Sequence, residues 1–262
     1  MTADRRGSRV EALVAEEAAR RGERVGVAHV CAAAVAALPV DGAGMSAMTR
    51  PAASHPLCGT DEVSRALEEL QLTLGEGPCV DAFALGAAVL APDLGAGDIL
   101  ARWPVFAPAA AAAGAGAVFA LPLQIGAISP GVFDLYRREP GVLGGEDLAD
   151  AMAFAATATL LLLGGPAGGR PGPDGPDGSG DGGAAGLGAY RAQIDQATGM
   201  LTEQLGVGIE EAFVRLRAHA YARGRRLADL AADVVDRRVR FTPETEGTAA
   251  GPAPDRTDDD QT

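Results

Sequence analysis

The spacing of hydrophobic residues in the longer, amino-terminal part of the chain predicts a mixture of helices and strands. Alanine-rich or periodic apolar stretches predict helices at 10–20, 26–38, 61–72 and 146–163. Strand patterns occupy 42–50 and 87–93, and two runs joined by Ala-Ile-Ser-Pro, 117–126 and 130–139, are typical of a β-hairpin. Helices on both sides of hairpin-paired strands predict an α+β domain with an antiparallel sheet flanked by helices.

Two low-complexity stretches divide the chain. Residues 164–186 are almost entirely Gly, Pro, Asp and Ala, and residues 243–262 resemble them and end in an acidic run. Such segments bury too little apolar surface to offset the entropy of ordering, so we expect a disordered linker and a disordered tail. The predicted folded units are therefore 8–163 and 187–242.

The second unit is predicted to be a bundle of three helices. Its first apolar stripe contains Tyr190, Ile194, Ala197, Leu201 and Leu205, and glycines follow it. Two further stripes, at 212–220 and 227–235, have the same spacing. A bundle of this size lies near the lower limit for independent folding, so pairing with a second copy would stabilise it.

Charge and composition restrict the class of protein. The chain has 262 residues, a formal net charge of −13 and 22 cationic residues, all of them arginine. Its pI of about 4.6 excludes a chain that binds nucleic acid through overall basic charge. The uncharged stretch between Arg102 and Asp134 contains four prolines and an Ala/Gly-rich centre, which argues against a membrane span.

The three cysteines, Cys31, Cys58 and Cys79, form no CxxC motif and no zinc-type spacing with histidine. This pattern argues against a disulfide framework and favours a reduced, cytoplasmic location. Cys79 follows Pro78 at the start of a predicted helix, 78–85. A helix N-terminus can activate a thiol, whereas the alternative is a small buried core residue.

No arrangement of residues in the sequence indicates catalysis. The histidines His29, His55 and His219 are far apart, and the HExxH, GxSxG and phosphate-loop motifs are absent. We therefore expect no catalytic residues, no metal site and no enzymatic activity. His219 has the spacing of a core residue, with contact to RNA or a partner as the alternative. Trp103 and Phe106 similarly favour a core anchor over a platform for stacking a ligand.

Arginines are concentrated in the predicted bundle. Residues 187–242 contain nine arginines against seven acidic residues, a net charge of +2 in an otherwise acidic chain. Arg223, Arg225 and Arg226 occupy one turn, and Arg237, Arg238 and Arg240 follow the last helix. Guanidinium groups match phosphate oxygens and stack on unpaired bases, so the cluster favours a nucleic-acid contact over an ordinary mixed surface.

The segment 192–235 resembles the ANTAR domain, the RNA-binding antiterminator module of bacterial response regulators. The matching motifs are Gln-Ala-x-Gly-Met-Leu at 196–201, Glu-Ala-Phe with Leu-Arg at 211–217, and Gly-Arg-x-Leu through Val-Val at 224–235. The resemblance implies a homodimer that binds paired stem-loops of nascent transcripts. The RNA-binding residues that it implies are Thr198, Gly199, Arg215, Arg217, Arg223, Arg225 and Arg226. Position 198 is often Lys or Arg in the family, so Thr198 removes one phosphate contact.

The first unit resembles the GAF domain that commonly precedes ANTAR in actinobacterial proteins. The resemblance is carried by the motifs at 70–79, 89–94, 102–106, 119–123 and 131–137. It implies a sensor with an antiparallel sheet, and the ligand-binding residues that we assign to it are Cys79, Trp103 and Phe119. We expect no bound cofactor, although a small-molecule effector fits a sensor.

Together these resemblances imply a cytoplasmic, signal-responsive regulator that promotes antitermination, with dimer contacts of the apolar helix at 151–163 providing control. Three alternatives remain at this stage. One is a DNA-binding regulator of the helix-turn-helix type, which the acidic residues of the third bundle helix disfavour. The others are a redox enzyme like the GAF-type methionine sulfoxide reductases and a protein-interaction module that has lost RNA binding.

Overall fold

The structure is a computed structural model that describes residues 3–50, 53–164 and 184–242. The expected disorder at 164–186 and 243–262 lies almost entirely outside these residues. The first unit starts with a helix at Ala3 and ends with one at Gly164, and the helices of the second start at Ala184. The division of the chain into these units stays a prediction.

The centre of the first unit is a five-stranded sheet with strand order β2-β1-β5-β4-β3. All four neighbouring pairs are antiparallel. The strands are β1 (Gly42–Arg50), β2 (Ala53–Gly59), β3 (Val89–Ala91), β4 (Ala117–Ile125) and β5 (Ile128–Arg137). Strands β4 and β5 form the hairpin that the sequence predicts. The predicted class, α+β with an antiparallel sheet flanked by helices, is confirmed.

Helices account for most of the remaining described residues. Those of the first unit are α1 (Ala3–Arg21), α2 (Val27–Ala37), α3 (Glu62–Leu74), α4 (Pro78–Leu85), α5 (Gly97–Arg102), α6 (Phe106–Ala112) and α7 (Gly145–Gly164). Those of the second are α8 (Ala184–Leu205), α9 (Ile209–Ala222) and α10 (Leu227–Val235). The predicted helices are therefore confirmed, including the one that starts at Pro78.

Strand β2 and the short helices α5 and α6 are additions that the sequence pattern did not predict. Pro56 in β2 pairs with Ser46 of β1, next to a register shift, and β2 lies at the edge of the sheet. An edge strand tolerates proline because its outer N–H groups need no partner in the sheet. Because proline is rare in strands, its presence in this segment argues against a strand when the sequence is considered alone.

The two faces of the sheet pack against different helices. On one face, Phe119 and Leu121 of β4 join the core formed with α1, α2 and α7. On the other face, Val118 and Ala120 pack with residues of α3–α6, including Trp103. Successive residues of a strand point to opposite faces, which produces this separation.

Helix α7 is, within the described ranges, the one helix long and apolar enough to cross a membrane by length and composition. Phe154 and Ala158, however, are fully buried in the core beneath the sheet. Its first turns are fixed to α1, because Arg6 Nε donates to Asp150 Oδ1 at 2.7 Å and Arg9 also pairs with Asp150. In this structure α7 is a core helix of the first unit.

The expectation against disulfides is wrong for one pair of cysteines. Cys31 of α2 and Cys58 of β2 are joined by a disulfide, because the packing of α2 against the sheet brings together residues that are distant in sequence. Cys79 is the free cysteine and is buried.

The three carboxyl-terminal helices enclose a core of their own. Its fully buried members include Leu201 of α8, Leu216 of α9 and Leu230 of α10, and Phe241 closes one end. Leu72 of α3 belongs to the same cluster of buried residues. The bundle therefore packs directly against the first unit through α3.

Candidate nucleic-acid interface

Three arginines of the carboxyl-terminal bundle, Arg223, Arg225 and Arg226, lie in the connection between α9 and α10. Arg223 caps the C-terminus of α9, and Arg226 caps the N-terminus of α10. Arg223 is exposed, and the described part of the chain provides no ion pair for it. The sequence placed these arginines on one turn, and the structure presents that turn at the surface of the bundle.

Other arginines of the bundle are held by acids on neighbouring turns. Arg225 Nη2 lies 2.6 Å from Asp233 Oδ2, and Arg238 Nε lies 2.6 Å from Asp233 Oδ1. Hydrogen bonds from Arg225 and Arg238 lower the pKa of Asp233. Arg215 pairs with Glu211 one turn earlier at 2.7 Å. Surface pairs of this kind are weak, so a phosphate can compete for these guanidinium groups.

Arg217 is instead bound to the first unit. Its Nε donates to the carbonyl oxygen of Thr73 in the last turn of α3, at 2.9 Å. The last carbonyls of a helix have no partner within the helix and carry its negative dipole end, so they attract a cation. Burial in this contact lowers the pKa of Arg217.

Gly75 makes this contact possible. It ends α3 in the left-handed conformation, with φ of 66°, and a Cβ at this position would lie 1.9 Å from Arg217 Nη2. The left-handed backbone therefore favours glycine, and any side chain here would displace the Arg217 guanidinium from its present position.

Arg226 makes a second contact with α3. Its Nε lies 2.7 Å from Glu69 Oε2, and the Glu69 side chain is 14% exposed. Burial raises the pKa of Glu69, and the hydrogen bond and charge of Arg226 partly oppose that rise. Glu69 was missed from the sequence, where it is one acid of a helical pair in Leu-Glu-Glu-Leu. A cleft of about 750 Å³ lies between α3, α6 and the α9–α10 connection.

The structure does not present Thr198 on this surface. Its side chain is buried in α8, and its hydroxyl donates to the carbonyl of Ile194 at 2.7 Å. The assignment of the Thr198 side chain as an RNA contact is therefore corrected: it satisfies its hydroxyl within the helix. Gly199, the next residue, is partly exposed and stays a prediction.

His219 is a core-flanking residue. Its ring lies 4.6 Å from the ring of Phe241, and its Nε2 is buried with no hydrogen-bond partner among the described residues. Burial and the charges of Arg223 and Arg225 lower its pKa, so its ring is neutral at pH 7.

The three residues assigned to a ligand site in the first unit do not line a common cavity. Cys79, Trp103 and Phe119 are each at most 2% exposed. Phe119 lies on the α7 side of the sheet, whereas Cys79 and Trp103 lie on the α3 side. The grouping of Phe119 with the other two is therefore wrong, because alternate residues of β4 face opposite cores.

Trp103 and Cys79 have structural partners. Trp103 Nε1 donates to Asp81 Oδ2 at 3.2 Å, and the Arg102 guanidinium lies 4.8 Å from its ring centre. Burial raises the pKa of the Cys79 thiol well above its ordinary value. An unaided thiol with a raised pKa is a poor nucleophile, so the interpretation of Cys79 as a core residue fits better than an activated thiol.

Comparison with known proteins identifies the second unit. The family model of the ANTAR domain matches residues 189–235, from α8 to the end of α10. The carboxyl-terminal bundle is an ANTAR domain. Arg215, Arg217, Arg223, Arg225 and Arg226 all lie within the matched residues of this ANTAR domain, whereas Arg237, Arg238 and Arg240 follow it.

Solved structures similar to this chain include GAF domains and one enzyme. The GAF domain of an Acinetobacter phosphoenolpyruvate-protein phosphotransferase is 12% identical, with 62% of this chain and 95% of that chain covered and a TM-score of 0.44. The cyanobacteriochrome TePixJ GAF domain is 16% identical, with coverages of 51% and 84% and a TM-score of 0.38. A type II free methionine-R-sulfoxide reductase from Thermoplasma acidophilum is 17% identical, with coverages of 58% and 96% and a TM-score of 0.38. No curated protein matches the chain.

Proposed function

We propose that this protein is a signal-responsive regulator whose ANTAR domain binds stem-loop RNA in nascent transcripts and promotes antitermination. ANTAR domains as a family bind RNA, which supports an RNA partner. The first unit, in this proposal, is a GAF-like sensor of a small-molecule signal. The regulator acts in the cytoplasm as a homodimer and has no enzymatic activity of its own.

The observation that carries the proposal is the group of arginines at the α9–α10 connection of an ANTAR domain. Arg223 is exposed, and Arg225 and Arg226 follow it, so three arginines lie within four consecutive residues. Hairpin loops offer closely spaced phosphates and unpaired bases, which guanidinium groups bind by paired hydrogen bonds and by stacking. A few such groups are sufficient despite the small net charge of the bundle.

The contact with α3 supports regulation by the first unit. Arg217 and Arg226 belong to the proposed RNA surface, yet in this structure they bind Thr73 and Glu69. RNA and α3 therefore compete for the same two guanidinium groups. A signal that moves α3 would release them and increase the affinity for RNA.

The test compares Arg223→Ala in the full chain with the unaltered protein. The ligand is a synthetic RNA of two adjacent hairpins, and binding is measured by fluorescence anisotropy at several salt concentrations. Because Arg223 contributes one phosphate contact in this proposal, we expect about tenfold weaker binding and a salt slope smaller by about one. The double variant Arg225→Ala/Arg226→Ala is expected to weaken binding further.

Arg20→Ala is the matched control, because Arg20 is a similarly exposed cation on α1 of the first unit. It changes the net charge equally and should leave RNA binding unaltered. Circular dichroism checks that each variant keeps its helices. Equal binding of the hairpin RNA and a duplex DNA of the same length at low salt would refute the RNA proposal and favour the DNA-binding alternative.

A further inference from the structure

Three potential metal ligands lie together in the core between the sheet and α3. They are Glu68 of α3, Cys79 of α4 and Asp134 of β5, with exposures of 2%, 1% and 4%. One carboxylate oxygen of each acid and the Cys79 Sγ all lie within 4.8 Å of one another. Metal–ligand distances of about 2.0–2.3 Å require the donors to be closer together than this upper limit, so small side-chain rotations are needed to bring all three onto one ion.

The two carboxyl groups are incompletely satisfied by the protein. Ser46 Oγ donates to Glu68 Oε2, and Gln71 Nε2 donates to Asp134 Oδ2 at 3.1 Å. Glu68 Oε1 and Asp134 Oδ1 are buried and have no hydrogen-bond partner within the described ranges. A buried polar atom without a hydrogen-bond partner lowers the stability of the folded protein, and two buried acids side by side lower it further.

The cluster places two acids and a thiol together in the core, and burial is the largest influence on all three pKa values. Burial, and then the negative charge of Asp134, raises the pKa of Glu68 well above its ordinary value. Burial raises the pKa of Asp134 to about 6, although hydrogen bonds with Glu68, Gln71 and Cys79 oppose this rise. Burial and the charges of both acids raise the pKa of Cys79. No arginine or histidine among the described residues offsets these charges.

The surrounding structure is built to hold these side chains in place. A Cβ at Gly44 of β1 would lie 2.3 Å from Glu68 Oε1, so the absence of a side chain there makes room for the carboxyl group. The Gln71 side chain connects the other two ligands: it donates to Asp134 and accepts from the backbone N–H of Cys79 at 2.6 Å. Such supporting hydrogen bonds orient the ligands of a metal site.

We propose that Glu68, Cys79 and Asp134 bind one divalent transition-metal ion of the Zn²⁺ or Fe²⁺ class. A thiolate with two carboxylates favours these ions over Mg²⁺ and Ca²⁺, which prefer oxygen ligands alone. The thioether of Met48, whose Sδ lies 3.6 Å from Cys79 Sγ, is available as a further soft donor. When the ion binds, the thiol proton of Cys79 and the proton held between the Glu68 and Asp134 carboxyl groups both leave to solvent.

The test uses the full chain, freed of metal with a chelator and then titrated with Co²⁺ and Zn²⁺. We expect one ion per chain, and with Co²⁺ a near-ultraviolet absorption band from thiolate-to-cobalt charge transfer. Cys79→Ser should remove this band, and Glu68→Gln and Asp134→Asn should each weaken binding at least tenfold. These amide variants are expected to fold, because they remove a buried charge while keeping the side-chain volume.

Two control variants make the result specific. Glu69→Gln changes the adjacent acid of α3, which faces the ANTAR domain, and should leave binding and the absorption band unaltered. The double variant Cys31→Ala/Cys58→Ala removes the other sulfur atoms of cysteine and should also retain the band. Failure to bind either ion, or binding that survives Cys79→Ser and Glu68→Gln together, would overturn the proposal. A shared proton between the two carboxyl groups would then explain the cluster. Neither result bears on RNA binding, which is measured separately.

Discussion

Individual side chains connect distant segments of this protein through charge. Asp150, near the start of α7, forms ion pairs with Arg6 and Arg9 of α1, and its side chain is 16% exposed. Although burial raises its pKa, hydrogen bonds from Arg9 and Arg6 outweigh this, and the net pKa is lowered from 3.8. A carboxyl group with a lowered pKa stabilises the fold above its unfolded pKa, and this contribution disappears as the pH falls through the folded pKa.

Asp150→Asn should therefore lower the free energy of unfolding at pH 7 by about 1–2 kcal/mol, somewhat less than the usual contribution of hydrogen bonds to a charged group because Arg9 is partly exposed to solvent. The difference from the unaltered protein should shrink as the pH falls below 3.8, where Asp150 becomes protonated. Urea unfolding followed by circular dichroism at a series of pH values measures both effects. Asp98→Asn, an exposed acid on α5, is the control and should show neither.

At the scale of elements, α7 has two different sides. One side, with Ala151, Phe154 and Ala158, is buried in the core. The other exposes Leu160 and Leu163, at 54% and 44%. Apolar side chains exposed on one helix are typical of a protein contact, which supports the proposed homodimer through this helix.

Leu160→Glu should shift a dimer formed by α7 to monomers, because the charge would be buried against an apolar partner. Sedimentation velocity over a range of concentrations measures the shift, and the melting temperature should hardly change because Leu160 is exposed in the single chain. Leu85→Glu alters a similarly exposed leucine at the end of α4 and should not affect assembly. A dimer that persists in Leu160→Glu would place the interface elsewhere.

In the molecule as a whole, α3 lies between the proposed metal-binding cluster and the ANTAR domain. On one face of α3, Glu68 belongs to the buried cluster of the first unit and Gln71 donates a hydrogen bond to it. On another face, Glu69 and Thr73 bind arginines of the ANTAR domain. Residues on different faces of one helix move together because the helix is rigid. A displacement of α3 would therefore change both the buried cluster and the contact with the ANTAR domain.

Glu69→Gln should raise the affinity of the full chain for the two-hairpin RNA. It removes the charge that holds Arg226, which is 64% exposed, so the pair contributes at most about 1 kcal/mol and the gain is about fivefold or less. The anisotropy assay described above measures it. Glu16→Gln is the control, since it removes an exposed acid that pairs with Arg20 on α1. An unaltered or lower affinity would show that α3 does not restrain the ANTAR domain.

The sequence by itself determined most of the elements of this protein, with β2, α5 and α6 as the exceptions, and the character of its second unit. Helices such as α3 and the β4–β5 hairpin follow from the spacing of apolar residues within short stretches of the sequence. The ANTAR motifs are contiguous as well, so 192–235 could be assigned without a structure, and the match at 189–235 agrees.

Only the tertiary structure decided which of these residues meet. It placed Phe119 and Trp103 in opposite cores, buried Thr198, paired Arg226 with Glu69, and gathered Glu68, Cys79 and Asp134. Each of these outcomes depends on which face of an element is covered and by what. The pairing of Arg226 with Glu69 and the cluster of Glu68, Cys79 and Asp134 join residues far apart along the chain, which local spacing does not specify. The burial of Thr198 is different, because Thr198 lies four residues after Ile194 in the apolar stripe of α8 and could have been expected from that spacing.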